Sequence, residues 1–224
     1  LNIADAVSAR IAALSADERM LLEHAAAVGS VFWLGALVAL MRMDKPAPEL
    51  WTKADMKDWD ERRALLDGLV VRDYVLKLPD SSFSGEVEYV FKHNLERERI
   101  AQLTSGAAAR RYHQTTADWL AQKDGVRSQE EYCAMLAQHL EKGGALARAG
   151  LTYLEAADLA RASYAAKKAN EYYSKGLDLL GDSDARRRID ALHDHGDVLT
   201  LLGKTDDALS AFREMLSLAY RLAL

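Results

Sequence analysis

The sequence predicts a mostly α-helical fold that contains a single β-hairpin. Half of the 224 residues are hydrophobic, and only three are proline. Ala and Leu dominate, and both lose little conformational entropy when they enter a helix. Apolar residues recur at helical spacing over most of the chain, whereas β-branched and aromatic residues concentrate at 69–92. We therefore expect helices on both sides of one hairpin.

The first two helices are predicted from apolar spacing and from a capping sequence. Ile and Val side chains at helical spacing indicate a helix at 3–14. Ser15 then lies three residues before Glu18, which is the order of a capping box, and the helix that follows should reach Val28. Gly29 is expected to end it.

An apolar run and a proline-rich loop come next. The run VFWLGALVALM, at 31–41, is shorter than the roughly 18 residues that a membrane helix needs, so it indicates a buried helix, at about 34–42. The prolines of DKPAP, at 44–48, mark a loop. A further helix is predicted at 57–66, with Gly68 as its C-cap.

The hairpin follows this helix. LVVRDYVLKL, at 69–78, and VEYVFK, at 87–92, are rich in β-branched and aromatic residues, and the turn residues PDSSFSGE separate them. Three helices followed by a hairpin is the order of a winged-helix domain. We therefore predict a winged-helix-like module at 1–104.

Everything after the hairpin is predicted to be helical. Short polar or glycine-containing separators, among them GV, KGG, GDSD and GKT, divide this part into helices that pair with a period of about 35–40 residues. A period of this length is typical of helical repeats. The predicted helices are 93–103, 106–122, 129–142, 146–160, 164–180, 184–202 and 205–221.

The last two helical pairs carry large and small residues in the order of a tetratricopeptide repeat, although the Trp and Pro usual in that repeat are missing. The small residues allow the two helices to approach, and an aromatic residue fills the gap to the next helix. The residues in this register are Tyr153, Ala157, Ala160, Ala169 and Tyr173 in one pair, and Leu192, Gly196, Leu199, Ala208 and Phe212 in the other. We therefore predict a tetratricopeptide-like α-helical solenoid at 105–224.

The charge distribution disfavours nucleic acid as a partner. The chain has a net charge of −5, whereas nucleic-acid affinity depends on a positive surface. The segment that would be the recognition helix, 57–68, has three basic residues against four acidic ones. Binding of DNA or RNA by the winged-helix-like module is nevertheless retained as the alternative hypothesis.

The histidine clusters do not form a catalytic or metal site in the sequence. In FKHNLERERI, His93 is expected to cap a helix or pack beneath the hairpin, and Glu96 and Glu98 to act as first-turn charges. In HDHGD, His193 and Asp197 share a helical face while the second histidine points elsewhere, which leaves too few ligands for a structural zinc site.

Other reactive residues are expected to be structural. His113 and His139 lie on apolar-faced helices and should be packing or capping residues. The single cysteine, Cys133, excludes an internal disulfide, suits a reducing cytoplasmic compartment and is predicted to be a small buried side chain. No phosphate-binding glycine motif and no nucleophile–base arrangement is present, so we expect no enzyme activity, catalytic residue, metal or cofactor.

Five segments in order resemble one family, the helical regions that follow the ATPase core of bacterial STAND-type signalling ATPases. In that family an AAA-like NTPase is fused to a cyclase, kinase or transcription-factor domain. The resemblance extends from about residue 14 to the C-terminus, with Ala101 as a departure where the family usually has an aromatic residue. The segments are LSADERMLLEHAAAVGSVF, LLDGLVVRDYV, FKHNLERE, RRYHQTTADWL and LAQHLEKGG.

The resemblance implies a regulatory fragment whose nucleotide-binding core precedes Leu1. On this hypothesis the stacked helices form a concave surface that binds a protein, a peptide or a small effector and thereby controls the NTPase domain of the same polypeptide. The side chains expected on that surface are Tyr153, Asp158, His193 and Asp197. No membrane association is expected.

Overall fold

The computed structural model describes residues 2–43, 56–123 and 128–222, with side chains omitted at 3, 4 and 56–58. Within these ranges the chain is mostly helical, and it divides into two compact units, Leu1–Arg127 and Ser128–Leu224. The predicted DKPAP loop and GV separator lie outside the described residues. No described helix combines the length and the apolar character that crossing a membrane requires.

The first unit contains six helices and three strands among its described residues. Its second helix begins with the predicted capping box, because the Ser15 hydroxyl accepts from the Glu18 backbone N–H and the Glu18 carboxylate accepts from the Ser15 N–H. The elements are α1 (Ile3–Ala12), α2 (Ala16–Val28), β1 (Val31–Trp33), α3 (Leu34–Arg42), α4 (Met56–Val71), β2 (Val75–Lys77), β3 (Glu88–Phe91), α5 (Asn94–Ala101) and α6 (Gly106–Leu120).

The three strands form an antiparallel sheet in the order β1-β3-β2. The pairing of β2 with β3 confirms the predicted hairpin. Strand β1 was not predicted: its residues open the apolar run that was read as helix, and Val31 instead pairs with Val90. The strand forms because Phe32 is fully buried and stacks on Tyr89 at 5.7 Å between ring centroids. A partner this distant in sequence leaves no local signal.

Helix α4 extends further than predicted. Gly68 is not a C-cap but lies inside the helix, which continues to Val71, so the first residues of the β-rich segment are helical. Leu66 and Leu69 are fully buried one turn apart on the same face. Burial of this face outweighs the preference of the following valines for strand. The chain turns at Asp73, which has a φ of 62°, before β2 begins.

Helix α6 belongs to the first unit, whereas the sequence boundary at 104/105 assigned it to the repeats. It packs against α2 and α3. Trp119, near its C-terminus, stacks on Trp33 at 5.8 Å and meets Phe83 edge-on at 5.7 Å. This aromatic cluster places α6 in the same core as the sheet.

Two buried or half-buried carboxylates fix the loop between β2 and β3. Glu88 is buried and accepts from the backbone N–H of Ser82 in the loop at 2.5 Å and from the Trp33 indole N–H at 2.9 Å. Glu86 accepts from the backbone N–H of Gly35 at 3.1 Å and from the Lys123 ammonium at 2.5 Å. The loop is therefore tied to the start of α3 and to the residues after α6.

The second unit consists of five helices among its described residues, each packed on the next, at the positions that the apolar spacing predicts. Small residues allow close approach between the second and third of these helices, where Gly150 and Gly176 lie at the crossing. The helices are α7 (Gln129–Gly143), α8 (Leu146–Ala162), α9 (Ala166–Leu180), α10 (Ala185–Leu201) and α11 (Thr205–Arg221).

One turn geometry recurs three times in this unit. The turns after α7, α8 and α10 each contain one residue in the left-handed region, and these residues are Gly144, Tyr164 and Gly203, with φ of 87°, 61° and 74°. In each turn the next N–H bonds a helix carbonyl five residues earlier, as in a Schellman-type cap. The pairs are Ala145–Leu140 at 2.8 Å, Ala165–Ala160 at 2.8 Å and Lys204–Leu199 at 2.9 Å.

Replacing Tyr164 by glycine is expected to stabilise the second unit by about 0.5–1 kcal/mol. The left-handed conformation costs an L-residue roughly 1–2 kcal/mol, which a glycine avoids. Glycine also has more conformational freedom in the unfolded chain, and this reduces the gain in stability by about 0.4–1 kcal/mol. The Tyr164 ring is 92% exposed, so little packing is lost. Urea unfolding followed by far-UV circular dichroism measures the change.

The reverse substitution serves as the control. Gly203→Ala introduces a Cβ that meets no atom within 4 Å, so its cost should be conformational and about 1 kcal/mol. A loss of stability in Tyr164→Gly would contradict the expectation and would indicate that the exposed ring makes stabilising contacts.

Candidate partner-binding face

The α8–α9 and α10–α11 hairpins can be compared residue by residue because they share one turn geometry. The first residue after each left-handed position, Ala165 and Lys204, has nearly the same backbone angles, with φ of −85° and −88° and ψ of 60° and 66°. Positions 39 residues apart, as these two are, therefore correspond. Ala169 and Ala208, which correspond in this way, are both buried.

The face of α8–α9 that points toward the next helix is covered. Helix α10 packs on α9, and the His195 ring nitrogen Nε2 lies 3.1 Å from the Asn170 side-chain oxygen. Tyr173 is 0% exposed and Leu177 is 6% exposed, and Leu154 on α8 is also buried. This face is therefore an interior interface of the second unit.

The corresponding face of α10–α11 has no helix on it among the described residues. Leu209 and Leu216, which correspond to Asn170 and Leu177, are 47% and 50% exposed. Phe212, which corresponds to Tyr173, is only partly buried. His193 and Asp197 border the same strip on α10, and their side chains are more than half exposed. We call these five residues, His193, Asp197, Leu209, Phe212 and Leu216, the open face.

The open face joins an apolar strip to a polar edge. Leu209, Phe212 and Leu216 follow one another at spacings of three and four residues, so they lie along one side of α11. The His193 ring meets the Phe212 ring edge-on at 6.3 Å between centroids. This contact joins the polar edge on α10 to the apolar strip on α11. Space for the Phe212 ring exists only because Gly196 has no side chain: a Cβ there would lie 2.5 Å from the ring.

The polar edge contains the predicted His193–Asp197 pair and a third residue. His193 Nδ1 lies 3.3 Å from Asp194 Oδ1 and 3.9 Å from Asp197 Oδ2. The sequence pattern placed only His193 and Asp197 on one face; Asp194 also lies close to His193, and its other carboxylate oxygen accepts from Arg161 at 2.9 Å. The three potential ligand atoms lie within 4.8 Å of one another, but they are fewer than the four of a structural zinc site.

Tyr153 does not lie on an exposed surface, in contrast to the expectation from the sequence. Its side chain is 1% exposed, and its hydroxyl donates to Glu141 at 2.9 Å. Burial, together with this carboxylate, raises the pKa of the Tyr153 phenol. As the large aromatic residue of its helical pair, Tyr153 fills the core rather than facing a partner.

Asp158 is half-exposed but is engaged within the unit. It accepts from the Tyr173 hydroxyl at 2.7 Å and from the Arg187 guanidinium of α10 at 2.6 Å. Burial and this carboxylate raise the pKa of the Tyr173 phenol. Asp197 occupies the position of Asp158 in the next hairpin, where no arginine is paired with it among the described residues.

A separate polar groove runs between α9, α10 and α11, with a volume of about 430 Å³. Its floor includes His195, which is buried and points away from His193, as the sequence predicted. Burial lowers the pKa of His195, and the nearby Lys204 ammonium lowers it further. Charges of both signs, from Lys204, Asp207 and Glu214, surround the groove.

The residues singled out in the first unit are structural or exposed. His93 is exposed and makes no capping hydrogen bond, contrary to the expectation. Glu96 lies in the first turn of α5, as expected, but it is buried and forms an ion pair with Arg10 of α1. Glu98, which is exposed, accepts from the Asn94 amide at 2.6 Å.

The remaining predicted packing residues are found at least partly inside the fold. His139 and Cys133 are buried, and His113 is partly buried. Burial raises the pKa of the Cys133 thiol, which keeps it protonated at neutral pH. None of these three residues lies on the open face.

Comparisons with known proteins give no relative for this chain. No protein-family model matches it, and neither a curated protein nor a solved structure matches it significantly.

Proposed function

We propose that this chain is a non-catalytic, regulatory protein-interaction module of a larger signalling ATPase, and that it binds its partner through the open face. One observation carries the proposal. Among the described residues, no helix covers the apolar face of the α10–α11 hairpin that corresponds to the face of α8–α9 buried beneath α10. Exposed apolar surface of this kind, bordered by polar residues, is typical of protein interaction sites.

The arrangement of the first unit supports a winged-helix-like assignment. The elements follow one another as helix, strand, two helices and two strands, from α2 to β3. The strand between the first two helices pairs with the last strand of the hairpin, which gives the order β1-β3-β2. This topology agrees with a winged helix in which β2 and β3 form the wing.

The second unit is proposed to be a tetratricopeptide-like solenoid. Its support is the recurring turn, the small residues at the helix crossings and the packing of each helix on its sequence neighbours. Arrays built in this way form extended binding surfaces. A single buried cysteine agrees with a reducing, cytoplasmic setting.

Regulation follows if the partner discriminates between two states of the ATPase. A partner shifts an equilibrium only by its difference in affinity for the two states. We therefore propose that occupation of the open face biases an NTPase domain of the same polypeptide between its inactive and active states.

Surface charge supports protein rather than nucleic acid as the partner. On helix α4, the recognition helix of the proposed winged helix, Asp60, Glu61 and Asp67 are exposed, whereas Arg63 is the one exposed basic residue among those described. Carboxylates repel the phosphate backbone that supplies non-specific affinity for DNA.

Selection from a displayed peptide library tests the proposal. The wild-type chain should enrich peptides that fail to bind Leu216→Glu, because the charge disrupts the apolar strip. Leu103→Glu is the matched control, since Leu103 is 49% exposed in the first unit and lies off the open face. A gel shift with duplex DNA at low salt and calorimetric titration with Mg-ATP should both be negative.

Two results would overturn the proposed function. One is a library whose binders all tolerate Leu216→Glu. The other is micromolar binding of DNA or Mg-ATP by the chain, which would assign it to the nucleic-acid alternative or to nucleotide chemistry.

A further inference from the structure

We infer that the occupant of the open face is an amphipathic α-helix that carries a basic side chain for Asp197. The inference rests on the proposed function and specifies its ligand. The chain itself provides the template, because α10 occupies the corresponding face of α8–α9.

The polar part of the template is one ion pair. Arg187, near the start of α10, donates to Asp158 at 2.6 Å, and Asp158 corresponds to Asp197. Asp197 lies 3.9 Å from His193 and its side chain is 57% exposed, so it remains accessible to an incoming cation. A helix seated like α10 would place an arginine or lysine there, where a charge-assisted hydrogen bond to a carboxylate fixes its register.

One position of the template differs between the two hairpins, and the difference predicts an apolar residue in the occupant. His195 of α10 lies eight residues after Arg187 and contacts Asn170 of α9. On the open face Leu209 takes the place of Asn170, so the occupant should have an apolar residue where α10 has histidine. The predicted ligand therefore has a basic residue at the position of Arg187 and an apolar residue five positions after it, where α10 has Leu192. A second apolar residue lies eight positions after the basic one, where α10 has His195.

A helix fits this face better than an extended peptide. The apolar residues of α11 form a ridge at spacings of three and four residues, and such ridges pack into the grooves of another helix. The described part of the second unit has no strand edge to which an extended peptide could add.

A second copy of the chain is a poor occupant on grounds of area and charge. Helix α11 has 17 residues, so it is about 25 Å long, and a strip about 10 Å wide along it covers on the order of 250 Å². A stable dimer needs roughly 800 Å² from each partner. Asp190 and Asp197 are both exposed on α10, and a symmetric pairing of the open face would bring such acidic edges together.

The test uses a fluorescein-labelled peptide that copies residues 184–202 with His195→Leu, titrated into the full 224-residue chain and followed by anisotropy. The peptide should bind at least tenfold more tightly than a scrambled peptide of the same composition. Leu216→Glu in the chain should abolish this difference, and Leu103→Glu should leave it unchanged.

A charge exchange identifies the ion pair. Asp197→Lys in the chain should weaken binding at least tenfold, and Arg187→Glu in the peptide should restore it. Because one exchanged partner is a free peptide, the rescue does not depend on a second change in the folded chain. Circular dichroism of the Asp197→Lys variant verifies that it is folded.

The outcomes separate the inference from the proposed function. If the helical peptide binds no better than its scrambled form while library peptides still require Leu216, the function stands and the helical ligand is wrong. If both fail, the open face is not a binding site. If Arg187→Glu in the peptide does not restore binding to the Asp197→Lys chain, the assigned ion pair is wrong, and so is the position of the helix along the open face. A dimer in sedimentation equilibrium that Leu216→Glu dissociates assigns the face to a second copy and overturns the inference.

Discussion

Gly150→Ala is expected to destabilise the second unit by about 3 kcal/mol or more, at the upper end of the cost of overpacking a core. A Cβ at this position would lie 2.6 Å from the backbone nitrogen of Leu180, 2.9 Å from its Cα and 3.0 Å from the carbonyl oxygen of Gly176. All three are main-chain atoms, so no side-chain rotation relieves the overlap. Helices α8 and α9 must separate, which disrupts the packing along their length.

Two optical signals distinguish the unit that unfolds. The four tryptophans, at 33, 51, 59 and 119, all belong to the first unit, so their fluorescence reports on that unit alone. Urea unfolding by far-UV circular dichroism should shift in Gly150→Ala while the tryptophan transition stays in place. Gly68→Ala is the control, because a Cβ at this position meets no atom within 4 Å. Alanine in place of a helical glycine should raise the free energy of unfolding of the first unit by about 0.5–1 kcal/mol. An unshifted Gly150→Ala transition would contradict the close crossing.

Tyr173→Ala is expected to cost about 3–5 kcal/mol, the range for truncating a large buried aromatic side chain. The Tyr173 ring is 0% exposed and lies 5.6 Å from the His195 ring between centroids. The Tyr173 hydroxyl donates a hydrogen bond to Asp158, and Asp158 also accepts one from the Arg187 guanidinium. Truncation therefore removes one of the two hydrogen bonds that Asp158 accepts here. The midpoint of the circular dichroism transition measures the loss.

Phe212→Ala is the matched comparison, because Phe212 occupies the same place in the α10–α11 hairpin. Phe212 is partly exposed on the open face, so the expected cost is smaller, about 1–2 kcal/mol for the fraction of its surface that is buried. Equal costs for the two substitutions would mean that Phe212 is as well covered as Tyr173. That result would remove the basis for calling the face open.

Most of the helices could be predicted because their signals are local. The Ser15–Glu18 capping box and the apolar spacing of the last five helices depend on residues within a few turns of one another. The errors arise where a distant partner decides the conformation. Strand β1 exists through its pairing with β3, and α4 continues past Gly68 because Leu69 is buried in the core. Neither partner can be identified from the adjacent sequence.

The candidate site was predicted in part. His193 and Asp197 were recovered because a spacing of four residues places them on one helical face. Tyr153 was assigned to the surface although its register marked it as a packing residue, and the structure places it in the core. Leu209 and Leu216 were missed: their spacing along α11 is visible in the sequence, but their exposure depends on whether another helix covers them.

The pairing of β1 with β3 should also make the first unit fold more slowly than the second. Val31 must meet Val90, so the sheet of the first unit closes a long loop before β1 can join the local β2–β3 hairpin. In the second unit each helix packs on its immediate sequence neighbours. Folding slows as contacts span more of the chain, so the second unit should reach its native packing first on refolding. During synthesis the order of emergence opposes this, because residue 90 leaves the ribosome before any residue of the second unit does.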